Sequence, residues 1–362
     1  MPKFDCLSDI LNLEEIYMKF EKIHLDDITR CYCASHMNIN DEPVIFFASE
    51  DPNSPCNEYS GEDFKNKETL WTDERGGCMS IIPFETRKNE FLAVNEFYLK
   101  VSPSHAKLIW GKKDKDGWHF KDIFNLPFLH RFDIYHFNDK DYLVCTTIAK
   151  DKANKEDWSR PGQIYVGEIP SDLENNNIVL RTIAENLYHN HGYIRGNHNG
   201  HVCGYFASDE GIFRLDPPIG QDDWTLTKIK DGRTSEMAFG DLDGDGIEEM
   251  ITIEPFHGNG IKIYKLENNE YKEVYSYPNE MDFGHALVFD TIGGQKCFIA
   301  GIRRVQAELV IFTYKDGKYE FEIVDTEGGP ANLDVIHAFG NDYILAANHT
   351  KNEAAIYKYI GE

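Results

Sequence analysis

The stretch MAFGDLDGDGIEEMITIEPFHGNGIKIYKLENNEYKEVYSYP, Met237 to Pro278, decides the fold. MAFGDL (Met237 to Leu242) reads as a strand and DGDGI turns the chain. EEMITIEP (Glu248 to Pro255) is a second, more apolar strand, followed by IKIYKLE (Ile261 to Glu267) and YKEVYSYP (Tyr271 to Pro278). Period-2 alternation and Asp/Gly-rich turns mark each run as a half-buried strand. The following unit repeats the rhythm with ALVFDTI, QKCFIAGI, ELVIFTYK and YEFEIVDT.

Marking each unit by the residue that opens its first strand gives Cys33, Met79, His130, His191, Glu236, His285 and Ala331, at spacings of 46, 51, 61, 45, 49 and 46 residues. Four short strands at such a period predict an all-β, seven-bladed propeller of antiparallel blades, residues 1–362 forming one domain. The last unit has only LDVIHAF, YILAANH and AAIYKYI, one strand short, so YMKFEKIHL (Tyr17 to Leu25) is expected to close the ring against Ala354 to Ile360. Closure removes the free sheet edge. Ser49 to Gly77 is polar and its third and fourth strands are hard to place, which leaves six or eight blades open at that point.

The chain carries 62 acidic against 37 basic residues, a net charge of -25, which argues against nucleic acid or an anionic membrane as partner. The first residues, MPKFDCLSDI, lack a basic region and an apolar core, so no export signal is expected. Eight cysteines without a CxxC pair fit a reducing, cytoplasmic setting, and Cys145, Cys203 and Cys297 fall in second strands as core residues.

FGDLDGDGIEE, Phe239 to Glu249, spaces Asp241, Asp243 and Asp245 before Glu249, with Gly244 and Gly246 allowing a tight turn. Such an oxygen-rich set suits a hard cation such as calcium in a structural role, whereas an Asp/Gly hairpin also forms without metal. With this loop the chain resembles the FG-GAP or VCBS-type propeller repeat. That resemblance implies a calcium loop between first and second strands. The equivalent turns FNDKD, GNHNG, TIGGQ and FGNDY lack the acidic set.

In a propeller the first strand lines the central axis, and its opening residue shares a face with the loop between second and third strands. His130, His191, Glu236, His285 and Asn332 are therefore expected to converge on one funnel. Loops on that face add Asn95, Glu96, Lys150, Trp158, Asp209, Glu210, His257, Arg303, Arg304, Asn348 and His349, and Arg131 follows His130. A lone axial histidine is usually a satisfied channel residue. Three in register favour a shared divalent ion, because each buried imidazole needs a partner.

The expected site is a metal shell of His130, His191 and His285 with Glu236, holding zinc, manganese, nickel or iron. Trp158, Lys150, Asn348 and Asn332 are expected to contact substrate. In architecture and residue type this funnel is similar to oligogalacturonate lyase and, more distantly, aldos-2-ulose dehydratase. The similarity implies elimination or isomerisation of a sugar acid or keto-sugar, with His257 or His349 as base and Arg131 or Arg303 neutralising the developing charge. No GxSxG elbow, P-loop, HExxH or CxxC competes with it. The alternatives are a non-catalytic carbohydrate- or protein-binding propeller and a glycoside hydrolase using Glu236 with Asp209 or Glu96.

Overall fold

The computed structural model describes residues 18–72, 75–99 and 103–361. Seven four-stranded antiparallel sheets form a ring of blades. Blade one comprises Cys31–Ile39, Glu42–Ser49, Cys56–Ser60 and Asn66–Trp71, and blade five Glu236–Gly240, Glu249–Glu254, Gly260–Glu267 and Glu270–Ser276. The second strands are the apolar heart of each blade: Phe46, Phe91, Val144, Phe206, Ile251, Phe298 and Ile344 are all buried there. Cys145, Cys203 and Cys297 are buried among them, as expected.

The ring closes as the repeat predicts. Lys19–Asp27 is the outer strand of blade seven and pairs antiparallel with Glu353–Gly361, with Phe20 opposite Tyr359 and Ile23 opposite Ile356. Lys22 clamps the seam through Asp325 and Glu353, at 2.8 and 2.7 Å. Tyr17, the first residue of the expected closing strand, lies outside the described residues.

The polar stretch of blade one yields both missing strands. Cys56–Ser60 is buried although alternate residues are polar, because each polar group has a partner. Glu58 accepts from Lys113 Nζ at 2.9 Å and from Trp118 Nε1 at 2.8 Å. Asn57 bonds Asp26 at 3.0 Å and Thr69 at 2.8 Å. Buried polar groups survive when paired, and hydrophobic periodicity is blind to that.

The inner strands carry a shared irregularity that sets the site. Register shifts fall between Cys31 and Cys33, Leu129 and Arg131, Gly284 and Ala286, and Pro330 and Asn332. Each bulge leaves one extra residue, Tyr32, His130, His285 and Ala331, at the mouth end of its strand. In blades two, four and five the matching residues are Met79, His191 and Ser235, whose amides bond the second strand through Val94, Ala207 and Ile253.

Glu236 is therefore not the equivalent of the histidines. Ser235 is, and Glu236 lies one residue further along its strand. A step of one residue turns a side chain to the other side of a strand. The same correction replaces Cys33 by Tyr32 and takes Asn332 out of the mouth ring.

Candidate functional site: an axial funnel with four imidazoles

Two cavities share the axis. The upper one, about 520 Å³, is walled by Tyr32, His130, His191, His257, His285, Trp158 and Arg303. The lower one, about 490 Å³, is walled by Arg131, Glu236, Asn332, Arg195 and Asp133. An ion pair stands at their junction, Arg131 Nη2 to Glu236 Oε1 at 3.2 Å. Burial pushes the Glu236 carboxyl up to about 7 against the pull of Arg131. Burial also works to lower Arg131, but Glu236 overrides it and raises the guanidinium.

Of the four residues expected to form a metal shell, His191 and His285 come together with His257, while His130 and Glu236 stand outside the cluster. His191, His257 and His285 present ring nitrogens that all lie within 4.8 Å of one another. His130 is not in this cluster. Its ring tilts against His191 at 4.6 Å, and its Nδ1 is buried without a partner. Nε2 of His191 and Nε2 of His257 are 3.3 Å apart. Two nitrogens about 2.0–2.1 Å from one tetrahedral ion are themselves separated by about 3.3–3.4 Å, so the pair has the spacing of a shared shell.

Backbone and neighbours fix these rings. His285 Nδ1 donates to the Ala331 carbonyl at 2.6 Å, which leaves Nε2 as the lone-pair nitrogen, 3.4 Å from the Tyr32 hydroxyl. Glu236 Oε1 lies 2.5 Å from His191 Nδ1, a close contact off the line of a hydrogen bond. His257 comes from the loop after Glu249–Glu254, with a left-handed φ of 47°. Its ring is sandwiched between Phe256 at 3.9 Å and Phe283 at 4.1 Å, so only its edge reaches the cluster.

Burial holds His130, His191, His257 and His285 well below the ordinary 6.5, reinforced by one another and by Arg131 and Arg303. All four are neutral near pH 7. Neutral imidazoles are the form that ligates metal.

The other expected residues divide between the two cavities and beyond. Arg303 lines the funnel beside Phe283, and burial brings its guanidinium down to about 10. His349 is engaged from two sides: Glu50 Oε1 is 2.7 Å from Nε2, and Arg303 Nη2 is 2.8 Å from Nδ1. It therefore positions Arg303, and its ring is not open to the cavity as a base. Arg131 and Asn332 belong to the lower cavity.

Trp158 is in the funnel wall, but Lys150 is outside it and Lys152 and Lys155 stand there instead. Asn348 is fully buried inside blade seven, bonded to Glu353 and Tyr357. The carboxylates expected for a hydrolase, Glu236 with Asp209 or Glu96, do not line one cavity. Glu236 faces the lower cavity, Asp209 pairs with His189 at 2.9 Å, and Glu96 pairs with Lys107 at 2.7 Å.

Tyr32, Phe256 and Phe283 escaped sequence reasoning. The one signal for Tyr32 was the one-residue offset of the blade-one strand. The acidic turn, on the opposite face, is already neutralised by protein. Asp241, Asp243 and Glu249 converge, but Lys265 pairs with Asp243 and lies 2.6 Å from Asp245 and 3.5 Å from Glu249, while Lys296 lies 2.8 Å from Asp241. A calcium ion would have to displace the Lys265 ammonium, so this donor set does not fit the ion as it stands.

No protein-family model and no curated protein matches the chain. Among solved structures the fold is similar to that of Sqt1 from Saccharomyces cerevisiae, with 9% identity, a TM-score of 0.56, and coverage of 95% of this chain and 98% of the other. Likeness at that identity shows the fold alone. The class defined is a seven-bladed β-propeller, and no family match carries the resemblance to calcium-loop repeats or sugar lyases.

Proposed function

We propose that the upper funnel is a small-molecule site in which His191, His257 and His285 hold a divalent transition ion and Arg303 binds the anionic end of a sugar acid or keto-sugar. The observation that carries this reading is the meeting of neutral, buried imidazoles, two with Nε2 atoms 3.3 Å apart, beside a guanidinium that makes no ion pair among the described residues. Nitrogen ligands without soft sulfur favour zinc, manganese, nickel or iron. Such an ion supplies Lewis-acid polarisation of a ligand oxygen.

The chain's own groups suit elimination or isomerisation better than hydrolysis. Arg303 offsets the negative charge that develops when the proton beside a carbonyl is removed. His130, outside the trio, is the imidazole left to accept that proton. A second reading, binding without turnover, is favoured by the burial of His130 Nδ1, which is sealed from solvent.

Metal analysis of the purified protein and of His257→Ala tests the ion. Incubation with uronate oligosaccharides and keto-sugars, followed by absorbance of a new conjugated double bond, tests the chemistry. A metal-free wild type that cannot be loaded sinks the ion. Metal-loaded protein that binds these ligands and leaves them unchanged selects the binding reading.

A further inference from the structure

The funnel wall is a row of rings with a cation at each end. Lys152 Nζ sits 3.3 Å over Trp158, whose ring meets Phe256 at 5.4 Å. Phe256 stacks on His257 at 3.9 Å, His257 on Phe283 at 4.1 Å, and the Arg303 guanidinium caps Phe283 at 4.6 Å. His257, with the imidazole cluster, occupies the middle of the row.

The end cations are unusual in this chain. Acidic residues outnumber basic ones 62 to 37, and most lysines and arginines have a carboxylate partner. Arg303, Lys152 and Lys155 form no ion pair among the described residues, and all three line the funnel. Arg304, beside Arg303, is already paired with Asp282 at 3.1 Å. Two carboxylates line the same cavity: Glu50 is taken up by Arg30 and His349, and Glu156 stands with the two lysines, so Lys152 and Lys155 face one carboxylate at their end.

We infer that the funnel takes an elongated ligand with an anionic group at each end and hydroxyls between, of the class of a phosphorylated sugar acid. The planar fork of Arg303 matches a carboxylate, and the two lysine ammoniums, as point charges, match a phosphate. The hydroxylated middle lies against the imidazole cluster. This inference rests on the funnel being the small-molecule site, not on the ion.

Calorimetry with three probes tests it on wild-type protein: 6-phosphogluconate, gluconate, which lacks the phosphate, and sorbitol 6-phosphate, which lacks the carboxylate. The expected result is at least tenfold tighter binding of 6-phosphogluconate than of either single-anion probe. Lys152→Met with Lys155→Met abolishes the margin over gluconate alone, and Arg303→Met the margin over sorbitol 6-phosphate alone. Melting curves check that each variant is folded. Equal affinities for the three probes, or no binding with metal present or absent, overturn the inference. Metal content measured on the same samples separates the two claims. A preference for two anions in protein that holds no metal leaves the inference standing and removes the ion.

Discussion

Glu236 meets His191 from the channel side, Oε1 to Nδ1 at 2.5 Å, and this contact joins the two axial cavities. Glu236 sits on the Nδ1 side of His191, off the line of a hydrogen bond, and the Nε2 edge of the ring faces His257. Partners of this kind orient metal-binding imidazoles and typically contribute 10–100-fold to affinity. Glu236→Gln is expected to weaken binding of zinc or manganese about 10–100-fold in competition with a chelator. Unchanged affinity in a folded variant would detach Glu236 from the site.

The propeller was legible because period and turn chemistry need no tertiary information. Blade five alone shows both. The site was legible only in part, and Glu236 shows why. Strand openings were counted without the bulges at Tyr32, His130, His285 and Ala331. An offset of one residue is invisible in hydropathy yet moves a side chain from one cavity to the other. His257 was found as a loop residue, but its place in the cluster depends on the rings of Phe256 and Phe283 that sandwich it, a packing no sequence pattern shows.

Closure by the N-terminal strand makes the first blade and the last interdependent. Deleting residues 1–27 exposes the edge of Glu353–Gly361 and removes the Lys22 contacts with Asp325 and Glu353. The truncated chain is expected to melt at lower temperature and to aggregate, since an unpaired strand edge templates association. Thermal melting with light scattering checks this. A monomer with unchanged melting would refute the closure.

A pH-sensitive contact lies on the face away from the funnel. His337 Nδ1 is 2.7 Å from Asp342, and its Nε2 is 3.1 Å from Asp290. Hydrogen bonding to Asp342 is the leading cause that raises its pKa above 6.5, Asp290 adds to it, and partial burial opposes. A raised folded value means stabilisation that is fully present below about 6.5 and is lost as pH rises through the folded value. The melting advantage of wild type over His337→Gln is thus expected to be largest near pH 6 and to shrink toward alkaline pH. NMR titration should show the His337 ring protonating above 6.5, and Asp342→Asn lowering that value. An advantage that grows with pH would reverse the sign.

Lys265 holds together the acidic turn that a cation was expected to fill. Its ammonium pairs with Asp243 and reaches Asp245 and the fully buried Glu249, whose other oxygen accepts from the Leu242 amide at 2.8 Å. Replacing Lys265 with alanine leaves these carboxylates facing one another, which destabilises the turn. If lysine stands where calcium would, the wild type should melt at the same temperature in calcium and in chelator. Lys265→Ala should melt lower in chelator and recover part of the loss in calcium, because oxygen ligands that have lost one cation suit another. Melting curves of both proteins in the two buffers decide the matter. Strong stabilisation of the wild type by calcium would show that the ion displaces the lysine and would restore the structural-cation reading of Asp241, Asp243, Asp245 and Glu249.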